Sequence, residues 1–252
     1  MRRDLDQRPS RRKRRPRGRR FLTVLDAGVK RGLDVVLAAM LLVLLALPIA
    51  VLALVIRLES PGPSFYRSRR IGFRGREFRM FKFRKMRADS AGPALTLKGD
   101  SRFTRLGRFL AETKLDELPQ LWNVLKGEMS IVGPRPEDPE FVAGQANFYE
   151  RILTVRPGIT GLCQLAFTRE SEILDPDDAL RHYRTSILPQ KVAMDVLYAE
   201  QRSLAMDVRI CGWTIVAVGL NRPVAVHRGS GRMNLRRRAE ADLQAVAVQD
   251  PL

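Results

Sequence analysis

The sequence predicts a mainly α-helical protein in which a broken apolar helix enters a membrane and a helical domain follows it. Three observations lead to this prediction. The run from Val35 to Ile56 is apolar and uncharged, and Pro48 lies near its middle. After residue 102, apolar side chains recur every three or four positions, which indicates helices with one buried face. Between these regions, residues 59–87 carry Gly and Pro turns around short aromatic and basic runs, which predict brief extended segments.

The composition fits one core-forming domain with appendages. Of the 252 residues, 45% are hydrophobic and 29% are charged, which excludes a fully disordered chain and a channel of many spans. Two cysteines and two histidines, far apart in the chain, exclude a disulfide scaffold and argue against a zinc site. The apolar run begins too late and is too long for a signal peptide. We therefore expect a domain that faces the reducing cytoplasm.

The positive charge is concentrated on both sides of the apolar run. The net charge is +18, residues 1–32 hold 13 Lys and Arg against 3 acids, and residues 57–87 hold 11 against 2. Such a charge predicts an anionic partner, which is nucleic acid, acidic lipid or a phosphorylated substrate. Charge alone does not choose among them.

The apolar run from Val35 to Ile56 has the length of a membrane segment, with 22 residues. A spanning helix with Lys and Arg on both sides would leave one basic block where positive loops are rare. Pro48 removes a backbone hydrogen bond to Leu44 and clashes with its carbonyl, so the helix should bend. We expect a re-entrant helix hairpin that breaks around Leu47 and Pro48. A kinked span and a soluble core helix remain the alternatives.

Four regions are predicted along the chain. The first is a disordered basic arm suited to lipid headgroups, with nucleic-acid binding as the competing use. The membrane hairpin, a globular domain and a flexible tail follow it. Their predicted ranges are 1–27 for the arm, 28–58 for the hairpin, 59–220 for the domain and 221–252 for the tail.

A central helical pattern extends from Arg102 to Gly127. Asp116 is the candidate N-cap of its main helix, with Glu117 in the first turn, where Pro119 is tolerated because its nitrogen needs no intrahelical acceptor. Gly127 is the predicted C-terminal stop. Further helices are predicted at 138–151, 176–186 and 189–220.

The acidic pair at this helix start is the candidate catalytic group. The positive end of a helix favours an ionised carboxylate, and its free N–H groups can hold phosphate oxygens. Asp116 is therefore a candidate nucleophile toward phosphorus, which would form an acyl phosphate. Glu117 is a candidate ligand of Mg²⁺, a cation that prefers oxygen. Taken alone, an Asp-Glu pair at a helix start is more often a cap.

Nearby basic residues strengthen the phosphate hypothesis. Lys82 and Arg84 lie in the run FKFRKM, and Arg135 lies in the Pro-flanked turn VGPRPED. Lysine and arginine both suit a diphosphate, arginine through paired planar donors. The alternative for each of them is a solvated or lipid-facing side chain.

These residues belong to a series of motifs that closely resembles the bacterial sugar transferases, the monotopic phosphoglycosyl transferases. The resemblance covers roughly residues 28–215. It is carried in order by KRGLDVV, the Pro48-broken apolar run, SPGPSFYRSRRIGFRGREF, FKFRKMRADS, DSRFTRLGRFL, LDELPQLWNVLKGEMSIVGPRP, RPGITGLCQL and DVLYAEQRSLAMDVRI.

The resemblance implies a hairpin in the cytoplasmic leaflet of the bacterial inner membrane. It also implies a compact α-helical catalytic domain with amphipathic interfacial helices. The implied reaction transfers a sugar-1-phosphate from a UDP-sugar to a polyprenyl phosphate, releases UMP and requires Mg²⁺. Inner-membrane lipids are then partners, nucleic acid is not expected, and a homo-oligomer is left open.

The resemblance also assigns roles to individual residues. Asp116 matches the nucleophile that takes the phosphosugar, and Glu117 matches its metal-binding partner. Lys82 and Arg135 match positions that hold substrate phosphates. Asp207, in the run MDVRI, aligns with a further active-site acid.

Several positions depart from the family pattern. Ser68 stands where Gln is common, Lys85 where a small hydroxyl residue is frequent, and Leu47 where Ser is frequent. The run AFTRES at 166–171 replaces a usual Gly-Arg, which puts sugar or nucleotide contacts there in doubt. The identity of the sugar and of the polyprenol is not predicted.

Two other functions compete with the enzyme. The basic arm suggests a membrane-tethered nucleic-acid-binding module, although no recognition motif or stacking aromatic pattern supports it. A catalytically silent scaffold for polysaccharide assembly is the other, and an intact LDELPQ run argues against it.

Overall fold

A computed structural model describes residues 17–236 apart from 88, 89, 91, 93 and 94, with side chains from residue 26 onward. The described chain is mainly helical, as predicted. Its helices are α1 (Arg17–Leu44), α2 (Ala46–Glu59), α3 (Arg105–Thr113), α4 (Gln120–Lys126), α5 (Pro139–Ala143), α6 (Ala146–Ile152), α7 (Leu162–Ala166), α8 (Glu170–Ile173), α9 (Ala179–His182), α10 (Leu188–Gln201) and α11 (Leu204–Thr214). Its strands are β1 (Phe65–Ile71), β2 (Glu77–Phe83), β3 (Ser130–Val132), β4 (Gly158–Thr160), β5 (Val224–Val226) and β6 (Met233–Leu235).

The strands form three two-stranded sheets in the described part of the chain. β1 and β2 pair antiparallel, as do β5 and β6, whereas β3 and β4 pair parallel. The pair β1–β2 confirms the short extended segments predicted after the apolar run. The connection between β3 and β4 carries α5 and α6.

The apolar run forms two helices that bend by 62° at Leu45. Leu45 still donates to the carbonyl of Leu41 and Ile49 to that of Leu45, both at 2.8 Å. Pro48 has no N–H to donate to Leu44, so the ladder lacks that one bond. The break therefore lies at Leu45 rather than at Leu47 and Pro48, because a proline disturbs the turn that precedes it.

Within the described residues, no single helix is long and apolar enough to cross a membrane, and only α1 from Asp26 together with α2 qualifies as a bent pair. This geometry is common to a broken span and a re-entrant loop. Many large apolar side chains of the pair are exposed, including Val43 at 79% and Leu47 at 74%. The core helix of a soluble protein would bury them, so that alternative is not supported.

Helix α1 begins at Arg17, inside the range 1–27 that was predicted to be a disordered arm. Disorder is therefore the wrong prediction for residues 17–27. That stretch contains no proline, so nothing stops the helix from extending backward. The remainder of the arm, residues 1–16, lies outside the described residues.

The segment 30–34 of α1 is held to the globular domain by polar contacts. Asp34 is buried and accepts from Ser130 Oγ at 2.7 Å and from the N–H of Ile131 at 3.1 Å. Arg31 donates to the last carbonyls of α4 at 2.7 and 3.2 Å. The run KRGLD thus fixes the apolar helices relative to α4 and β3.

The central helical pattern divides into two helices joined by a tight turn. Helix α3 ends at Thr113, its C-cap Lys114 has a left-handed φ of +59°, and a 3-10 turn covers Leu115–Glu117 before α4 begins. Asp116 is therefore not the N-cap of α4, because the left-handed residue redirects the chain before the pair. Gly127, with a φ of +81°, ends α4 as predicted.

The later helices follow the predictions with interruptions. The predicted helix 138–151 divides into α5 and α6, and 189–220 divides into α10, α11 and a π turn at Ile215–Gly219. The predicted helix 176–186 is α9 with a π turn at Tyr183–Ile187. Both predicted long helices are broken at short irregular links.

The predicted flexible tail is wrong for residues 221–236. These residues form the hairpin β5–β6, and Val224, only 2% exposed, packs in the core beside α7. Gly231, with a φ of +64°, supplies the left-handed backbone of the turn. Burial of Val224 in the core explains why this segment is structured. Residues 237–252 lie outside the described part.

Candidate active site

Asp116 lies in the 3-10 turn between α3 and α4 and is only 2% exposed. Lys85 places its Nζ 3.2 Å from Oδ2 of this carboxylate. Oδ2 accepts no hydrogen bond from the residues that the structure describes. Among the described residues, this buried oxygen is therefore held by an ion pair alone.

Glu117 contacts a lysine that β2 supplies. Phe78, Met80 and Lys82 point to the same face of β2 because side chains alternate along a strand. The first two are buried against α1 and α4, and Lys82 continues that face to the start of α4. Its Nζ donates to Glu117 Oε1 at 2.8 Å. The alternation of β2 thus delivers the predicted lysine to the predicted acid.

The electrostatics keep Glu117 ionised. Burial opposes its ionisation, but Lys82 and Arg135 outweigh burial and lower the pKa of the Glu117 carboxyl to about 2. Burial also lowers the pKa of Lys82, a shift that Glu117 and Asp116 oppose. The acid is therefore a full negative charge at neutral pH.

Arg135 reaches the same place from the turn after β3. It lines a small cavity together with Lys82, Glu117, Gln120 and Gly158. Burial opposes the charge of Arg135, yet Glu117 and other acids raise the pKa of the guanidinium. Of the predicted phosphate-binding residues, Lys82 and Arg135 are thus brought to the acidic pair.

A buried polar network supports the turn that carries Arg135. The backbone N–H of Arg135 donates to Asp195 at 3.3 Å. Two residues later, Glu137 accepts from the hydroxyl of Tyr183 at 3.1 Å and lies 3.3 Å from Lys191 Nζ. Burial opposes the charge of Lys191, but neighbouring acids raise its pKa well above the usual value. These contacts fix the backbone from which Arg135 projects.

Three residues of the site were not predicted from the sequence. Lys85 contacts Asp116, and the charge of Lys114 interacts with both Glu117 and Asp116, while burial lowers the pKa of Lys114. Gln120 is buried in the cavity, and its Nε2 has no hydrogen-bond partner among the described residues. Lys114 and Gln120 could have been found from the sequence, because they flank the acidic pair within the run KLDELPQ.

Arg84 is not at this site, although it was predicted to bind substrate phosphate. Its guanidinium is buried and donates to the carbonyls of Pro61 at 2.5 Å and Ser60 at 2.7 Å. It also reaches the carbonyl of Ile56, at 3.3 Å, in the last turn of α2. The prediction for Arg84 is therefore corrected. The carbonyls at the end of α2 need a hydrogen-bond donor, and Arg84 supplies it.

We expect Arg84→Met to destabilise the protein without weakening the binding of a UDP-sugar, the donor that the family resemblance implies. Losing the guanidinium leaves buried carbonyls unpaired, which should lower the free energy of unfolding by about 2 kcal/mol. Thermal unfolding in detergent measures this, with Arg79→Met on the exposed face of β2 as the control. A variant of normal stability with a raised KM for the donor would return Arg84 to the substrate site.

Asp207 also lies elsewhere than predicted. Its carboxylate accepts from Lys30 Nζ and from the hydroxyl of Tyr198, both at 2.7 Å. Neither partner contacts the acidic pair in the described structure. Asp207 is buried, and a buried carboxylate requires charged or hydroxyl partners. Its contact with Lys30 therefore links α11 to α1.

Besides Lys85, two departures from the family pattern have a structural setting. Ser68 is buried in β1, and its hydroxyl has no hydrogen-bond partner among the described residues. In the run 166–171, Glu170 lies 3.0 Å from Lys191 Nζ, so it joins the network behind Arg135. The altered run therefore contributes Glu170 to the network that supports the turn of Arg135.

The acidic pair fits a magnesium ion in one specific way. Mg²⁺ is commonly held by one or two carboxylates together with substrate phosphates and water. Glu117 is ionised, and Lys82 occupies only its Oε1. The described residues contain no group of three or more His, Cys, Asp or Glu able to form a complete cage. Substrate oxygens and water would therefore have to complete the coordination.

Comparison with known families matches residues 25–221 to the family described as bacterial sugar transferase. The undecaprenyl-phosphate glucose phosphotransferase of Komagataeibacter xylinus is 38% identical over 206 residues, which are 78% of this chain and 37% of that protein. The UDP-glucose:undecaprenyl-phosphate glucose-1-phosphate transferase of Caulobacter vibrioides is 39% identical over 186 residues, 72% of this chain and 66% of that protein.

A shorter relative is matched over nearly its whole length. The exopolysaccharide production protein PSS of Rhizobium leguminosarum is 37% identical over 203 residues, which are 77% of this chain and 96% of that protein. The chain thus spans only part of the first two relatives but almost all of the third. Because the family match extends over most of the chain and includes Lys82, Asp116, Glu117 and Arg135, the protein belongs to the bacterial sugar transferase family.

Proposed function

We propose that this protein transfers a sugar-1-phosphate from a UDP-sugar to a polyprenyl phosphate. The names of the relatives favour undecaprenyl phosphate as acceptor and exopolysaccharide or glycoconjugate synthesis as the setting. The observation that carries the proposal is the position of Asp116, whose oxygen Oδ2 is ion-paired with Lys85 and has no hydrogen bond among the described residues. Lys82 and Arg135 stand beside its neighbour Glu117.

In the first step, Asp116 attacks the β-phosphorus of the UDP-sugar. The bond between that phosphorus and the bridging oxygen breaks, and UMP leaves with the oxygen and its electron pair. The sugar phosphate is then bound to Asp116 as an acyl phosphate. Lys82 and Arg135 bind the diphosphate and stabilise the charge that develops on its oxygens. Lys85 gives up its contact with the carboxylate as the new bond forms.

In the second step, a phosphate oxygen of the polyprenyl phosphate attacks the same phosphorus. The bond from phosphorus to Asp116 breaks, which frees the carboxylate and restores its ion pair with Lys85. The product is a polyprenyl diphosphate sugar. Two displacements at one phosphorus let a water-soluble donor and a membrane-bound acceptor react in turn without a ternary complex.

Mg²⁺ belongs to the proposal, with Glu117 as its ligand. When bound, the ion would neutralise phosphate charge and so favour attack by a carboxylate. Glu117 contributes an ionised oxygen, and its contact with Lys82 holds the side chain in place. Lys82 remains available to a phosphate through its other protons.

Incubation of the membrane-bound protein with UDP-sugar labelled in the sugar, and without lipid, tests the proposal. We expect about one label per chain and an equal amount of UMP. Peptide mapping should place the label on the segment that contains Asp116. Addition of polyprenyl phosphate should then move the label to lipid. Transfer to lipid with no covalent label on the chain at any time would contradict the two-step reaction.

We expect Glu117→Gln to lower kcat about 10²- to 10³-fold while the protein stays folded. Gln keeps the shape but removes the negative charge that Lys82 and Arg135 face. The concentration of Mg²⁺ that gives half the maximal rate should rise. Since the pKa of Glu117 is about 2, its protonation should not shape the wild-type rate between pH 5 and pH 8.

The exposed Glu112 in α3 supplies the matched control for this variant. Glu112→Gln should leave kcat and the magnesium dependence unchanged. An equal response of the two variants to Mg²⁺ would remove Glu117 from its proposed role.

We propose that α1 and α2 form a re-entrant hairpin in the inner membrane, with the catalytic domain on the cytoplasmic side. The 62° bend, the exposed apolar side chains of the pair and the basic residues on both flanks support this placement. Helix α11 and its following turn also expose Val208 at 72% and Ile215 at 68%, which suits an interfacial helix.

Sealed inverted vesicles test the hairpin. An N-terminal tag and a C-terminal tag should both be digested by added protease, because both ends of a hairpin lie on the cytoplasmic face. A periplasmic domain of another membrane protein should stay protected and so confirm that the vesicles are sealed. A protected N-terminal tag on this chain would mean that the bent pair spans the membrane.

A further inference from the structure

A groove lies between the end of the apolar helices and the start of α3. It has a cavity volume of about 920 Å³, which is within the range of ligand pockets. One wall includes Ser60, which follows α2, and the other includes Arg105 and Arg108 of α3. Arg87 and Phe103 also line the groove. None of these residues lines the small cavity that contains Lys82, Glu117 and Arg135.

The groove carries unbalanced positive charge. Arg87, Arg105 and Arg108 are exposed, and their guanidinium groups make no hydrogen bond or ion pair with another described residue. Glu59 is the one acid among the residues described as lining the groove, and its Oε1 accepts from the N–H of Leu106 at 3.0 Å. Three planar donors that lack counter-charges suit a phosphate group.

One side chain, that of Lys85, lies between the groove and Asp116. Lys85 Nζ lies 5.8 Å from the centre of the Phe103 ring, which lines the groove, and 3.2 Å from Asp116 Oδ2. Gly107 of α3 is in direct contact with the backbone of Lys85, since a Cβ there would lie 1.9 Å from the Lys85 carbonyl oxygen. The helix that carries Arg105 and Arg108 is therefore fixed against the lysine that contacts Asp116.

The groove also opens where an amphiphilic molecule would arrive. It begins at the last residues of α2, the helix proposed to lie in the membrane. Leu58 and Phe109 are the chain neighbours of Glu59 and Arg108, which line the groove, and they expose 75% and 50% of their surface. A lipid could place its apolar chain along these side chains and its phosphate among the arginines. A soluble nucleotide-sugar has no apolar chain to place along these side chains.

We propose that this groove binds the isoprenoid acceptor lipid and that Arg87, Arg105 and Arg108 hold its phosphate. The proposal rests on the proposed function, because it assigns that reaction's second substrate to a site. Two sets of cations then flank Asp116. Lys82 and Arg135 serve the donor diphosphate on the side of Glu117, and the three arginines serve the acceptor phosphate on the side of Lys85.

The double variant Arg105→Gln/Arg108→Gln of the full-length protein tests this division. Covalent labelling by UDP-sugar without lipid should proceed at the wild-type rate, and the KM for UDP-sugar should not change. The KM for undecaprenyl phosphate should rise at least 10-fold. The matched control is Arg76→Gln/Arg181→Gln, which removes two exposed arginines from other surfaces and should leave both KM values unchanged.

The assays are run in neutral detergent with and without phosphatidylglycerol. A raised acceptor KM in both conditions supports the acceptor groove, whereas a rise confined to phosphatidylglycerol would overturn it in favour of bulk anionic lipid. Equal slowing of labelling and transfer, or an unchanged acceptor KM with normal labelling, would overturn this assignment alone. Absence of label on the wild-type chain would overturn the proposed function and the groove's role with it.

Discussion

Asp116→Asn is expected to abolish covalent labelling by UDP-sugar and to lower the transfer rate at least about 10³-fold. The amide oxygen of Asn carries no charge and is a poor nucleophile toward phosphorus. Asn has nearly the same shape as Asp, so the buried turn at Leu115–Glu117 should keep its backbone. The rate of label incorporation, followed over time without lipid, measures the first step directly.

The same variant separates chemistry from binding. Lys82 and Arg135 are untouched, so UDP-sugar should still bind and the variant should retain its donor affinity. Asp177, exposed before α9, supplies a matched control because Asp177→Asn also removes one carboxylate. That control should label at the wild-type rate. Stoichiometric labelling of the Asp116→Asn protein would show that another residue is the nucleophile.

Much of the site could be predicted because its chemistry is local in the chain. Asp116 and Glu117 are neighbours, and Lys82 lies in a run whose residue types predict a short extended segment. Pro48 likewise predicts a break from its own covalent structure. In each case one residue type permits only a few backbone arrangements, so a short stretch of sequence is sufficient.

The rest depended on how distant segments meet. Arg84 and Lys85 are adjacent in the run FKFRKM, yet one donates to the carbonyls at the end of α2 and the other contacts Asp116. Their residue types do not distinguish these roles. The left-handed backbone at Lys114, with a φ of +59°, redirects the chain before the acidic pair. Helical periodicity predicted one continuous pattern there.

Gly158→Ala is expected to cause a large loss of both stability and activity. A Cβ at Gly158 would lie 2.0 Å from the nitrogen of Gly133 and 2.6 Å from the carbonyl oxygen of Thr160. Both are backbone atoms, one in β4 and one directly after β3, so no flexible side chain can move aside. Forcing the strands apart should lower the free energy of unfolding by about 3 kcal/mol.

The loss of activity follows from what this strand pair positions. Gly133 and Gly158 lie directly before and beside the turn that carries Arg135, and the N–H of Gly158 donates to the carbonyl of Pro134 at 2.8 Å. A shift of about 1 Å in a substrate-positioning residue can cost about 10²-fold in rate. We therefore expect a raised KM for UDP-sugar or a slower covalent step below the unfolding temperature.

Gly212 in α11 is the matched control, because a Cβ there meets nothing within 4 Å. Gly212→Ala should leave the labelling rate unchanged and raise stability by about 0.5–1 kcal/mol, since Ala favours a helix. If Gly158→Ala unfolds at the wild-type temperature and labels normally, the close approach of β3 and β4 does not position Arg135. A variant that is destabilised but labels normally below its unfolding temperature would mean that Arg135 tolerates displacement, which would weaken its role in binding the diphosphate.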